Sequence, residues 1–139
     1  MITTEEIGLR VREVLLAAKI DKEVAGGVDF YRTDYTKEGV IIVPHSITGE
    51  GSVRFGQIKI NIHVPDITRS NPKSENPAYV PYLKRLIEIR SKVIETLKNH
   101  FEIGKGYNWN IGMISPPIKE EEQNEHFVSI SLDITVRNN

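Results

Sequence analysis

Residues 54–67 read RFGQIKINIHVPDI. Ile58, Ile60, Ile62 and Val64 share one parity, while Lys59, Asn61 and His63 share the other. Side chains of a strand point alternately to its two faces, so this run predicts a strand with one face in a core and one toward something polar. Residues 128–137 repeat the device. Val128, Ile130, Leu132, Ile134 and Val136 alternate there with Ser129, Ser131, Asp133, Thr135 and Arg137. Over residues 107–115, Tyr107, Trp109, Ile111 and Met113 alternate with Asn108, Asn110 and Gly112. The β-branched run 40–43 predicts a buried strand that stops at Pro44, since proline cannot donate to a ladder. Residues 28–32 read as a short strand before it, and HSITGEGS (45–52) as a loop or wide hairpin connection.

Two helices complete the pattern. Thr3 or Thr4 followed by two glutamates is a helix start, by hydroxyl capping and by negative charge near the positive end of the macrodipole. Ile7, Val11, Val14, Leu15 and Ala18 then recur at helical spacing until Gly26-Gly27 interrupts them. The second helix is expected over residues 78–101, carried by Tyr79, Leu83, Leu86, Ile87, Val93, Ile94, Leu97 and Phe101. Gly104 and Gly106 end it, with Lys98 and His100 near its negative end. Residues 65–77 carry three prolines and no apolar stripe, and are expected to be irregular. They read either as a solvated linker or as an arm that orders against a neighbouring subunit. PPIKEEEQNE (116–125) reads as a long acidic hairpin tip. The order α-β-β-β-α-β-β, with half-polar strands, predicts an α+β domain: two layers, a mainly antiparallel β-sheet packed against two helices.

Length and composition narrow the classes. A chain of 139 residues is the size of one domain, 1–139, and buries enough surface to fold without disulfides or a metal. The absence of cysteine removes disulfides, zinc–thiolate sites and thiol chemistry, and fits a reducing cytoplasm. The amino terminus MITTEEIGLRVREVLL lacks the basic start and apolar centre of a signal peptide. No apolar run approaches the roughly 20 residues of a membrane helix. Eighteen basic residues against 19 acidic ones leave a net charge of −1, so no global field favours nucleic acid or membrane.

The chemistry-bearing residues form no recognisable reaction centre. His45, His63, His100 and His126 show no helical pair and no HExxH-type spacing, so a metal site would require convergence from separate strands. Ser46 and Ser115 lie in no G-x-S-x-G elbow. Asp29, Asp34 and Asp133 read as exposed carboxylates, and Glu120, Glu121 and Glu122 as a solvated charge run. The glycines of ITGEGSVRFG lack a P-loop lysine. Lys84, Arg85, Arg90, Lys92 and Lys98 give the long helix a basic side, which Glu88 and Glu95 interrupt. No catalytic, cofactor or metal residue is assigned. The chain reads as a presenter of surfaces and not as an enzyme.

The order of elements, the small size and the phrase VIIVPHSITGEGSVRFGQIKINIHVPDI (40–67) resemble the tail-terminator and tail-completion (neck) proteins of tailed bacteriophages and prophages. The matching pieces are residues 39–46 for a first strand, 47–56 for the connection, 57–67 for a second strand, 78–101 for the helix and 127–137 for the last strand. The resemblance implies a virion structural protein of the head–tail junction or tail end. Such proteins assemble into homo-oligomeric rings, often hexamers, and dock to tail-tube and neck or connector proteins. It implies cytoplasmic assembly in a bacterial host, a final place in the virion tail or neck, no cofactor, no membrane and only incidental nucleic-acid contact. On this reading Lys59, Asn61, His63, Asp66, Arg69, Asn71, Lys73 and Glu75 are the expected interface residues. The alternative is a small module that binds protein or nucleic acid on its sheet face.

Overall fold

A computed structural model describes residues 2–49, 51–70 and 78–137. Its elements are α1 (Thr4–Ala17), α2 (Ile20–Glu23), β1 (Val28–Asp29), β2 (Gly39–Thr48), β3 (Val53–Pro65), β4 (Ile67–Arg69), β5 (Ala78–Val80), α3 (Leu83–Lys98), β6 (Tyr107–Ile114), β7 (Ile118–Lys119) and β8 (Glu125–Arg137). The fold is α+β, with helices packed on a mainly antiparallel sheet. The sheet runs β1-β2-β3-β8-β6, and β7 also pairs with β8. Among the described residues, β1 with β2 is the one pair of neighbouring strands that runs parallel.

The expected alternation is realised at the centre of the sheet. β3 and β8 pair from Val53↔Arg137 to Pro65↔Glu125 without a register break. Ile60 faces Ile42 on β2 and Ile130 on β8, so three isoleucines lie in one row across three strands. All three are fully buried, as are Ile58, Ile62 and Leu132. Lys59, Asn61 and His63 lie on the opposite face with Ser129, Ser131 and Asp133. The helices cover the apolar face: α1 lies over β1, β2 and β3, α3 over β3, β8 and β6, and the two helices touch.

Each helix has a local cause. Thr3 caps α1 by accepting the Glu6 backbone N–H at 3.3 Å, while its own hydroxyl donates to the Glu6 carboxylate at 3.2 Å. Ile7, Val11, Val14 and Leu15 of its stripe are buried, and Ala18 is left exposed at the C-cap. α3 turns Leu86, Ile89, Val93 and Leu97 inward. The expected stripe differs here: Ile89 belongs to it, whereas Tyr79, Leu83, Ile87 and Phe101 are exposed. The helix is also shorter than 78–101. Pro81 disfavours helical backbone at Val80, so residues 78–80 form β5 and pair with β4 instead. The segment 65–77 is therefore not irregular throughout, because Ile67–Arg69 is one side of a two-stranded ribbon.

Two other boundaries move for physical reasons. β1 spans only Val28–Asp29 and covers β2 only at Val40 and Ile41, so β2 is an edge strand by the time it reaches Pro44. Proline is tolerated at an edge, and the strand continues to Thr48 across a register shift between Pro44 and Ile47. The connection expected over 45–52 contracts accordingly. The acidic tip shrinks in the same way, with Ile118–Lys119 pairing to Phe127 and His126. At the start of β2, Gly26 donates to the Glu38 carbonyl at 2.7 Å, and an added Cβ would stand 2.3 Å from that oxygen. No described helix is long and apolar enough to cross a membrane.

Removing the middle of the isoleucine row tests this core. Ile60→Ala is expected to cost about 2–5 kcal/mol in urea unfolding, through lost burial and a residual cavity. Lys59→Ala, one residue away on the other face, should cost about 0.5 kcal/mol or less.

Candidate functional site

The alternation that builds the core leaves a second sheet face that no helix covers among the described residues, and one end of that face gathers charged groups from four separate segments. His63 comes from β3 and Glu125 from the first residue of β8. Glu120 follows β7, and its backbone N–H donates to the Glu125 carbonyl at 3.1 Å. Ile118 lies opposite Phe127, so two residues on Glu120 lies opposite Glu125 and shares its face. Arg32, from the loop after β1, forms an ion pair with Glu125 Oε1. His63 Nδ1 lies 3.1 Å from the same oxygen, and its ring stacks on Phe127 with centroids 4.9 Å apart. Arg32 is itself anchored, donating to the Lys37 carbonyl at 2.7 Å with its guanidinium 5.0 Å from the Tyr35 ring centre.

Glu125 is 1 % exposed, although it stands in the stretch expected to be a solvated acidic tip. Its Oε1 accepts from Arg32 and lies within hydrogen-bond distance of His63 Nδ1, while its Oε2 has no hydrogen-bond partner among the described residues. A buried orphan acceptor of this kind costs about 1–3 kcal/mol. Burial and then the positive charge of Arg32 push the His63 pKa below its ordinary value, against the pull of Glu125. His63, Glu120 and Glu125 together place three potential ligand atoms within 4.8 Å of one another. This is the convergence of separate strands that the chain's spacing does not announce.

The other expected interface residues divide. Lys59 and Asn61 lie on the uncovered face beside His63, opposite Ser131 and Ser129. Asp66 turns inward: its carboxylate is buried and lies 2.7 Å from His126 Nδ1, at the base of the β4–β5 ribbon. Arg69 is exposed on β4. Asn71, Lys73 and Glu75 lie outside the described residues. Several other chemistry-bearing groups have local partners. Asp29 accepts the Phe30 N–H at 2.8 Å, and Asp34 that of Thr36 at 2.9 Å. On α3, Arg85 pairs with Glu38 and Glu88, and Lys92 with Glu23 at 3.0 Å.

A second buried carboxylate, Glu102, joins α1 to the connection before β6. It takes Arg10 Nε at 2.5 Å and the Tyr107 hydroxyl at 3.2 Å. Burial would raise its pKa, but the hydrogen bonds from Arg10 and His100 outweigh that and hold it below the usual carboxylate range. Tyr107 is pushed up to about 12 by burial and by the neighbouring Glu102 charge. This cluster ties elements together beneath Trp109, whose Nε1 donates to the Leu97 carbonyl at 3.1 Å.

The two sheet edges are the other distinctive surfaces. β6 pairs with β8 on one side and has no strand on its outer side among the described residues. Met113 at its end is 76 % exposed, and Ile114 is exposed beside it. At the opposite edge, beyond the reach of β1, a cleft of about 420 Å³ is lined by Leu9, Phe30, Tyr31, Ile42, Val43 and Pro44, with Glu5 at its margin. No protein-family model matches the chain, and no curated protein is significantly similar to it.

The depressed His63 pKa has a definite sign. The unfolded chain takes up a proton near the ordinary value of about 6.5, before the folded protein does. The His63 contribution is therefore complete above about pH 6.5 and is lost as pH falls through its lower folded value. Thermal melts between pH 7.5 and 5.0 should show stability falling with acid, and His63→Gln should flatten that slope. Equal slopes in the two proteins would contradict the assignment.

Proposed function

We propose that this chain is a structural subunit that joins copies of itself head to tail through its two sheet edges, in a ring of the kind found in tail-terminator and neck proteins of tailed phages. The supporting observation is the pair of unequal edges that no further strand covers among the described residues. One presents projecting apolar side chains, Met113 and Ile114, and the other offers an apolar cleft between α1 and β2. Unpaired strands carry rows of free N–H and C=O groups, and a stable monomer normally protects them with charge, bulges or cover. Two different surfaces that fit each other make a heterologous contact, which closes into a ring when the rotation allows. The phage assignment rests on the sequence resemblance. The edge geometry is what makes a ring subunit the best-supported role within it, and in this role the protein performs no turnover.

The uncovered sheet face, with Lys59, Asn61 and His63, then points toward a lumen or a neighbouring ring. The exposed Arg69 on the β4–β5 ribbon extends toward the next subunit. Docking to tail-tube or connector proteins uses these surfaces, and Arg85 and Lys92 of α3 serve as ionic tethers within the subunit.

Edge pairing of this kind makes a pattern of association that is easily read by size-exclusion chromatography with light scattering. The wild-type chain should associate with rising concentration. Met113→Asp combined with Ile114→Glu should leave it folded but monomeric, and so should Leu9→Glu at the other edge. Each variant keeps one intact edge, so an equimolar mixture of the two should give a heterodimer and nothing larger. A wild-type chain that stays monomeric at every concentration, or edge variants that associate like wild type, would remove the edge-pairing model. Immunogold labelling of particles induced from the host should place the protein at the neck or tail end, and particles without label would remove the virion assignment.

A further inference from the structure

We propose that His63, Glu120 and Glu125 form a divalent-cation site, best suited to zinc, that clamps the 120–125 hairpin to the end of β3. This is independent of the ring assignment.

Three observations converge. The residues come from neighbouring strands and share one sheet face, with candidate ligand atoms within 4.8 Å of one another. His63 Nδ1 and Glu125 Oε1 are 3.1 Å apart. The imidazole and the Glu125 carboxylate thus meet at one point of the face, with Glu120 close by. The third observation points to a ligand directly. Glu125 is buried, Arg32 holds its Oε1, and its Oε2 has no partner among the described residues. A cation seated beside Oε2 supplies the missing interaction without displacing Arg32.

The donor set selects the ion. One imidazole and two carboxylates suit zinc and similar first-row ions, whereas calcium takes six to eight oxygens and magnesium retains most of its water. The imidazole binds in its neutral form. Glu120 is partly exposed at a hairpin end and can close by a small side-chain movement. Arg32 places a positive charge next to the site, which limits affinity. With two carboxylates and a neutral imidazole, however, the cluster as a whole is anionic. His126 and Asp66, the neighbouring pair, lie on the other side of the same strand ends and supply an internal control.

The test is isothermal titration of zinc chloride into the full chain after removal of metal by chelation, at neutral to slightly alkaline pH. One zinc per chain is expected. His63→Gln and Glu120→Gln should each weaken binding at least tenfold, while His126→Gln should leave it within twofold of wild type. Magnesium should bind at least a hundredfold more weakly than zinc. Thermal melts should show a zinc-induced rise in the wild type and the His126→Gln variant that is absent from the other two. Should His63→Gln fail to fold, Glu120→Gln together with zinc-dependent shifts of the His63 ring resonances in the wild type decides the matter. Any other pattern overturns the site, whether no one-to-one binding or binding that survives either ligand substitution.

Discussion

The continuous pairing of β3 with β8, thirteen residues against thirteen, is the constraint on which the rest of the molecule depends. A register slip of one residue would turn Ile58, Ile60 and Ile62 out of the core and bring Lys59, Asn61 and His63 into it. The burial of so many β-branched side chains therefore selects one register. That register in turn places His63 diagonally from Glu125, and Asp66 beside His126. Polar chemistry at the end of the sheet is a by-product of apolar packing at its middle.

The helices respond to the same ladder. α1 and α3 cover only the apolar face, and α3 carries the chain back along the sheet so that β6 runs parallel to β3 with β8 between them. This leaves the last strand in the middle and the edges to β6 and to the far half of β2. Edge strands so placed, with apolar side chains beside them, are the surfaces on which the proposed ring contact rests. The ionic contacts follow this division. Arg10–Glu102 and Arg85–Glu38 join separate elements beside the core, and Arg32–Glu125 joins the β1 loop to the start of β8.

The two candidate surfaces differ in how they arise. The edges result from topology, because β1 is too short to cover β2 and, among the described residues, no strand lies outward of β6. The His63 cluster results from convergence, because its four members are drawn from positions 32, 63, 120 and 125. The two do not compete: the proposed edge pairing concerns how copies meet, while the cluster lies within one chain, near the base of the β4–β5 ribbon. That ribbon leaves β3 directly after Pro65, so anything that stiffens the sheet end also steadies the ribbon.

Period-two alternation over 54–67 and 128–137 by itself determined the two central strands, their apolar faces and the α+β class, because burial of one sheet face is a local property of parity. Helical spacing and a threonine cap at Thr3 or Thr4 likewise located α1. Tertiary structure alone decided the rest. Whether Pro44 ends a strand depends on whether a neighbour needs its missing N–H. Whether Tyr79 is helical depends on a partner strand at Thr68. Glu125 reads as part of an acidic tip, yet it is buried, because only the fold brings Arg32 across to pair with it. Long-range charge pairing leaves no periodic trace in a sequence, and for that reason the cluster at the end of the sheet was legible only in three dimensions.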